Sequence, residues 1–399
     1  MKNSDSDRIA NLVLVTICNI ATSLSEDQIS SLVNDLKKRI EEFSASPDIT
    51  QGIMRTLSKI QGKKELKWLD SMLTRCEEAL LNYTKNPAGL QTRLEEESLG
   101  STIFLAGEII LSNFSAIKPK TSLTNLLQAV TSETLSASSS SPSTTIAVMG
   151  ETSQNIVVPT TIRAHAFVSL GKFCLNDQAL AKKCISLFVK ELEQSPFPLI
   201  RNNVMVVMGD LCVRFTSLVD PFLPSLYSRI VDPTPFVRKQ SLRILSSLLR
   251  EGFMRWKNSP LVLLLLLRST VDSDPVMAEQ AKMCIASLIA GQESLHLYTH
   301  FIETIFHLNN YTKHQVYNQF IFPESASACL TMLSGGGDNR KLRMMIYSMM
   351  LSPMNNEHKL QLIAKLTSDI LSAAADGTLP CQTAGDIIKD TLTILASKV

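Results

Sequence analysis

The chain has 399 residues, 45% of them hydrophobic but only 6% aromatic, and its apolar content lies largely in Leu, Ile, Val, Ala and Met, a profile that favours helices packed on helices over sandwiches or barrels. The formal net charge of +2 hides an asymmetry: residues 161–260 hold 14 Lys/Arg against 7 Asp/Glu, while residues 1–160 hold 15 against 18 and residues 261–399 hold 10 against 12. This basic block can attract phosphate or an acidic partner, or it can be a set of solvated helix faces.

The amino terminus, MKNSDSDRIANLVLV, lacks the basic segment and the small-residue cleavage site of a secretory signal. From Asp7 to about Lys85 helical patterns alternate with capping signals. Ser25 precedes Glu26–Phe43, Ser46-Pro47-Asp48 precedes Ile49–Ile60, and Lys64–Tyr83 follows, which predicts paired antiparallel helices. A further apolar helix is expected from about Leu99 to Phe114, stopped at Lys118-Pro119, and another over Ser122–Val130. SETLSASSSSPSTT then opens a Ser/Thr-dense stretch over residues 132–158 without apolar periodicity. It predicts a flexible insert dividing the chain into two helical parts, with helical repeats over 1–131 before it. Ser141, followed by Pro142, is its candidate phosphosite.

Beyond the insert an internal repeat emerges. Ile162-Arg163, Ile200-Arg201 and Val237-Arg238 place arginines 38 and 37 residues apart, each opening an apolar helix. The later copies read PLIRNNVMVVMGDLCVRF from Pro198 and PFVRKQSLRILSSLLR from Pro235, and a degenerate fourth, PVMAEQAKMCIASLIA, starts at Pro275. Second helices are expected over Ala179–Leu192, Pro221–Val231, Leu261–Val271 and Leu297–Leu308, with turns at Asp232-Pro233 and Asp274-Pro275. A two-helix unit of this length predicts an all-α fold, a HEAT/armadillo-type α-solenoid of antiparallel helix pairs. Its core spans 159–310, with a C-terminal helical region over 311–399. The apolar run Leu261–Leu267 falls far short of the ~20 residues that cross a bilayer and reads as a buried helix. The arginine after each Ile/Val sits early in its helix, where a contact with an acidic residue of a neighbouring turn and a ligand contact are both open. The eight cysteines form no CxxC pair and read as buried thiols in a reducing compartment.

No catalytic signature is present: no GxxxxGK[ST], GxGxxG, GxSxG or HExxH occurs. No enzyme activity, cofactor, metal or small-molecule substrate is expected. Gly335–Gly337 before Asp338 lacks the flanking strand and Lys-Ser/Thr of a phosphate loop and reads as a connector. His296, His300, Glu303 and His307 align on one helix face, but one straight helix presents only about two ligands to a zinc ion, so they read as packed or capping residues. Arg201, the cluster Arg238, Lys239 and Arg243, and the cluster Arg250, Arg255 and Lys257 around Trp256 are the candidate DNA or partner contacts. The alternative is that Trp256 packs between repeats and the charges are solvated.

Several stretches carry a resemblance. RAHAFVSLGKFCLND (Arg163–Asp177), ALAKKCISLFVKELE, IRNNVMVVMGDLCVRFTSLVDPFLPSL, DPTPFVRKQSLRILSSLLREGFMRWK and HFIETIFHLNNYTKH resemble the core of the D-type HEAT-repeat subunits of condensin. RNNxMxxxGDLCxR and DPxPFVRKQ are the specific words, and the first is similar to both condensin I and condensin II members. His300–His314, NRKLRMMIY (Asn339–Tyr347) and ADGTLPCQTAGDIIKDTLTILASK (Ala375–Lys398) resemble the condensin II version, and FLAGEIILSN (Phe104–Asn113) resembles the helix upstream. The likeness covers residues 98–399 and weakens toward the amino terminus. Members of that family are much longer, so the resemblance implies the C-terminal portion of such a subunit, as a fragment or a shortened gene product. It further implies a scaffold without an ATPase of its own. That scaffold docks through a kleisin subunit onto a pair of SMC ATPases, beside a second HEAT subunit, and meets DNA and chromatin during mitotic chromosome condensation. A nuclear, chromosome-associated location follows, with no membrane partner. A transport or adaptor solenoid of the importin or coat kind shares the architecture, but a receptor for basic signals would carry an acidic concave surface, which the basic block disfavours.

Overall fold

The structure is a computed structural model that describes residues 2–20, 23–61, 66–90, 92–112, 117, 119–136, 155–254, 260–288, 294–311, 314, 317 and 333–397. The chain forms two compact units, Met1–Phe215 and Thr216–Val399.

In the first unit the helices are α1 (Lys2–Ile20), α2 (Glu26–Glu41), α3 (Pro47–Gln61), α4 (Leu66–Lys85), α5 (Arg93–Ser112), α6 (Thr121–Thr131), α7 (Thr160–Asn176), α8 (Gln178–Gln194) and α9 (Pro198–Arg214). Their starts follow capping chemistry. Ser25 and Gln28 form a reciprocal capping box on α2, and the Asp177 carboxylate accepts from the amides of Ala179 and Leu180 at the head of α8. Alternate helices stack in two layers: α1, α3, α5, α7 and α9 pack in succession, while α4 packs on α6, and α2 packs on α3, α4 on α5, α6 on α7, and α8 on α7 and α9. Because α5, α7 and α9 are covered on both sides, they bury residues around most of their circumference and lack a single apolar stripe. The layer closes where small residues permit it: a Cβ at Gly171 on α7 would lie 2.5 Å from Val207 Cγ2 on α9.

Around the Ser-rich segment the chain forms a short antiparallel pair, β1 (Thr134–Ser136) and β2 (Asn155–Val157), with Thr134 opposite Val157. The helices before the insert, α5 and α6, pack directly on α7 after it. The helices on either side of the Ser-rich segment thus belong to one compact unit. Ser141 lies outside the described residues.

The second unit begins with α10 (Thr216–Val219) and α11 (Leu223–Tyr227), with 3-10 turns at Asp220–Phe222 and Ser228–Val231. The expected continuous helix over Pro221–Val231 is thus broken, since Pro221 and Pro224 each remove an amide donor. It continues with α12 (Pro235–Arg250), α13 (Pro260–Ser269), α14 (Pro275–Leu288), α15 (Ser294–Thr299), α16 (Phe301–Leu308), α17 (Asp338–Leu351), α18 (Asn356–Leu366), a π-helical turn at Thr367–Ser372, α19 (Ala373–Ala375) and α20 (Cys381–Ala396). α12 packs on α14, α13 on α14 and on α11, and α17 on α16 and α20. In α13 every residue from Leu261 to Leu267 is at most 4% exposed, as the unbroken apolar run predicts. No described helix is long and apolar enough to cross a membrane. Six described cysteines are buried, but Cys381, at the head of α20, is exposed.

Candidate nucleic-acid interface

The repeated arginine has a shared structural use. Arg163 on α7 donates from Nε to the Thr131 carbonyl at the end of α6 and from Nη2 to Glu191 at 3.2 Å. Arg201 on α9 donates to the Ser195 carbonyl just past α8, at 2.8 Å. On α12, Arg238 donates to the carbonyls of Asp232 and Pro233 and pairs with Asp272 at 3.2 Å. Each guanidinium satisfies carbonyls that the preceding helix or turn leaves without an amide partner. Arg201 is 6% exposed, and its bond to Ser195 directs its guanidinium at backbone inside the unit.

The acidic turn residues complete the scheme. Asp232 accepts from the amide of Thr234 and pairs with Arg229. Asp274 accepts from the amides of Val276 and Met277 and pairs with Lys239 at 2.6 Å. The hydrogen bond from Lys239, together with these amides, holds the Asp274 carboxyl below its ordinary range. Arg238 and Lys239 are thus both engaged by the turn that ends in Asp274.

Arg243 and Arg250 differ. Both are exposed, they share a face of α12 at i and i+7, and neither joins an ion pair among the described residues. Arg255, Trp256 and Lys257 lie outside the described residues. A second basic ridge escaped the sequence reading: Lys182, Lys183 and Lys190 on α8 are all exposed, with Lys183 and Lys190 on one face at i and i+7. The Lys-Lys pair followed seven residues later by Lys was the available signal. Lys172, by contrast, is internal: it bonds Glu108 at 2.6 Å and lies 3.7 Å from the centre of the Phe104 ring. Burial lowers its pKa, opposed by the Glu108 carboxylate.

Of the histidine set, His300 Nδ1 lies 2.9 Å from one Glu303 oxygen and His307 Nε2 lies 3.7 Å from the other; the His296 side chain is outside the description. Among the described residues no group of three His, Cys, Asp or Glu is placed to hold a metal ion. Gly335 and Gly337 take positive φ, and the carbonyls of Leu333 and Gly335 accept from Arg343, whose Nε bonds Asp390 at 2.8 Å.

Helix pairs stacked in two layers, with an arginine locking each of three successive repeats to the turn before it, define a HEAT-type α-solenoid. Residues 96–192 match the sequence profile described as condensin-2 complex subunit D3-like HEAT repeats, and residues 199–380 match that of the non-SMC mitotic condensation complex subunit 1. The chain belongs to the condensin-2 subunit D3 family. It is 30% identical over 400 residues to the Xenopus laevis condensin-2 complex subunit D3-L, covering 97% of this chain and 26% of the relative. It is also 30% identical over 413 residues to the Mus musculus condensin-2 complex subunit D3, covering 100% and 27%. The chain therefore spans about a quarter of these relatives. Among solved structures, the C-terminal fragment of the Chaetomium thermophilum cohesin loader SCC2 superposes with a TM-score of 0.56 at 12% identity, covering 97% of this chain and 33% of that one. That is a likeness of fold.

Proposed function

We propose that this chain is part of a scaffold subunit of condensin II that has no catalytic activity of its own and acts in mitotic chromosome condensation. Its partners are the kleisin subunit, the pair of SMC ATPases and a second HEAT subunit, and it works on chromosomes in the nucleus. The observation that carries this reading is the 30% identity to condensin-2 D3 subunits along nearly the whole chain.

The DNA contacts fall to Arg243 and Arg250 on α12 and to Lys182, Lys183 and Lys190 on α8, with Arg255 and Lys257 kept as candidates from sequence. Side chains of this kind neutralise phosphates and release counterions without reading bases. Arg238 and Lys239 are poor probes of that contact, because reversing them breaks the turn between α13 and α14.

Two measurements test the reading. Recovery of the SMC pair and a kleisin with this chain from mitotic nuclear extract is expected, and recovery of transport factors instead would overturn it. For DNA, the variants Arg243→Glu/Arg250→Glu and Lys182→Glu/Lys183→Glu/Lys190→Glu should each weaken binding to a duplex. Each lost phosphate contact should flatten the salt dependence by ~0.9 in log–log slope. Unchanged binding in both variants would place the DNA site elsewhere.

A further inference from the structure

The second unit holds an open groove of about 1270 Å³ between the end of α13, the outer side of α14 and the length of α17. A smaller cavity of about 310 Å³ continues it toward α18 and α20. Met344, Ser348 and Ser352 line both cavities. They follow one another at i, i+4 and i+8, Met344 and Ser348 on α17 and Ser352 at its C-cap, so the two cavities adjoin along that helix. At 1.5 Å per residue the 14 residues of α17 span about 21 Å, the length of an accessory helix of three to four turns.

The lining has a defined chemistry. Its floor is apolar and methionine-rich: Val271, Ile285, Met344, Met345 and Met349. Met345 is 55% exposed on α17, and Met283, on neighbouring α14, is 66% exposed. Long apolar side chains held in water beside a concave surface mark an interaction site, and methionine adapts its shape to what it meets. Among the described residues, every charged side chain lining the groove is a cation: Lys282, Arg340 and Lys341 in the larger cavity and Lys359 in the smaller. Lys341 and Lys282 pair with Asp338 and Glu279 in highly exposed contacts of 2.8 and 3.9 Å, which are weak and open to exchange for an incoming carboxylate.

We infer that this groove is a docking site for an amphipathic helix of a protein partner, with apolar residues at i, i+3/i+4 and i+7 and Asp or Glu along both flanks. The mode is a helix laid apolar face down in a hydrophobic groove. The ring of cations selects an acidic helix over a basic one, and the apolar floor offers a nucleic acid nothing to pair with. The inference stands apart from the condensin reading, because it rests on the groove alone.

The test selects a phage-displayed library of helical peptides on the full chain, then measures the leading peptide by fluorescence anisotropy. The expected winners carry the apolar spacing with acidic flanks. Met345→Glu should weaken the leading peptide at least tenfold, and Lys282→Glu/Lys341→Glu at least threefold, with the helical circular dichroism of both variants unchanged. Failure to enrich any peptide would overturn the inference. So would winners with basic flanks, affinity indifferent to Met345→Glu, or displacement of the peptide by duplex DNA.

Discussion

Replacing Asp390 by asparagine gives the sharpest test of how the second unit is held together. Asp390, on α20, and Arg343, on α17, are both 0% exposed and meet at 2.8 Å across 47 residues of sequence. Arg340 Nε, Tyr347 Oη and Asn309 Nδ2 also reach the Asp390 carboxylate. Asparagine keeps the volume but loses the charge and turns one acceptor into a donor facing these donors. Stranding a buried charge in this way costs ~3–5 kcal/mol, against a total stability of ~5–15 kcal/mol for a typical domain. With an m-value of ~2 kcal/mol/M, the urea midpoint should fall by about 1.5–2.5 M. The assay is urea unfolding of the full chain followed by circular dichroism at 222 nm. Lys341→Met serves as the control, since it breaks a pair whose side chains are 79% and 90% exposed and which is worth at most ~1 kcal/mol. The double variant Arg343→Met/Asp390→Leu should recover part of the loss, but not all of it, because Arg343 also serves the carbonyls of Leu333 and Gly335. A cost below ~1 kcal/mol for Asp390→Asn would refute the view that this network locks α17 to α20.

Three further outcomes follow from the packing. Gly171→Ala should cost ~1–3 kcal/mol through overlap with Val207, and Val207→Ala in the same chain should restore most of it; equal losses with and without the second change would refute the close approach of α7 and α9. Arg201→Met should cost ~1.5–3 kcal/mol by leaving the Ser195 carbonyl unmet, with the DNA affinity of the folded protein unchanged, so a loss of affinity like that of the Arg243/Arg250 variant would return Arg201 to the interface. Glu303 is pushed up by burial, but the hydrogen bond to His300, the nearby His307 ring and the charges of both prevail and hold it at about 2, against an ordinary 4.5. A lowered folded-state pKa gives stability that is complete above about 4.5 and drains away as the pH falls toward 2. The stability gap between the native chain and Glu303→Gln should therefore narrow in urea titrations between pH 5 and pH 3, and a constant gap would contradict the assignment.

How much of this was legible in the sequence depends on the range of the interaction. Local chemistry read well. Pro235–Arg250 is a helix with the bounds its pattern predicts, because proline at the first helical position and apolar spacing act within a few residues. The 38- and 37-residue spacing of the repeat arginines exposed the solenoid, since each repeat solves the same packing problem beside its neighbour. Breaks within a segment read less well. Pro221 and Pro224 were visible, yet their division of one helix into short α and 3-10 pieces depends on what each piece packs against. Long-range partners were not legible at all. Nothing in the stretch around Asp390 announces a buried acid, because its partners Arg343 and Asn309 come from distant helices. The Ser-rich insert looked like a boundary on composition, but α5 and α7 pack across it. Composition carries no information about what lies on either side of a loop.

The same distinction changes the meaning of the basic block. Counted along the chain, residues 161–260 carry twice as many cations as acids, yet many of these cations face inward. Arg163, Arg201 and Arg238 serve carbonyls of preceding turns, Arg229 and Lys239 pair with turn aspartates, and Lys172 lies between Glu108 and the Phe104 ring. A guanidinium spent on a neutral carbonyl leaves the count of charges intact but removes its ability to displace counterions from a phosphate. Apart from Arg214, whose guanidinium lies over the Phe215 ring, what remains for DNA among the described residues of the block is Lys182, Lys183, Lys190, Arg243 and Arg250. If each meets one phosphate, log K against log salt should have a slope of about −4.5, at ~0.9 per contact. Arg255 and Lys257 would steepen it by at most ~2. A slope near −10 would mean that the internal arginines also reach DNA, and the locking role assigned to them here would be untenable.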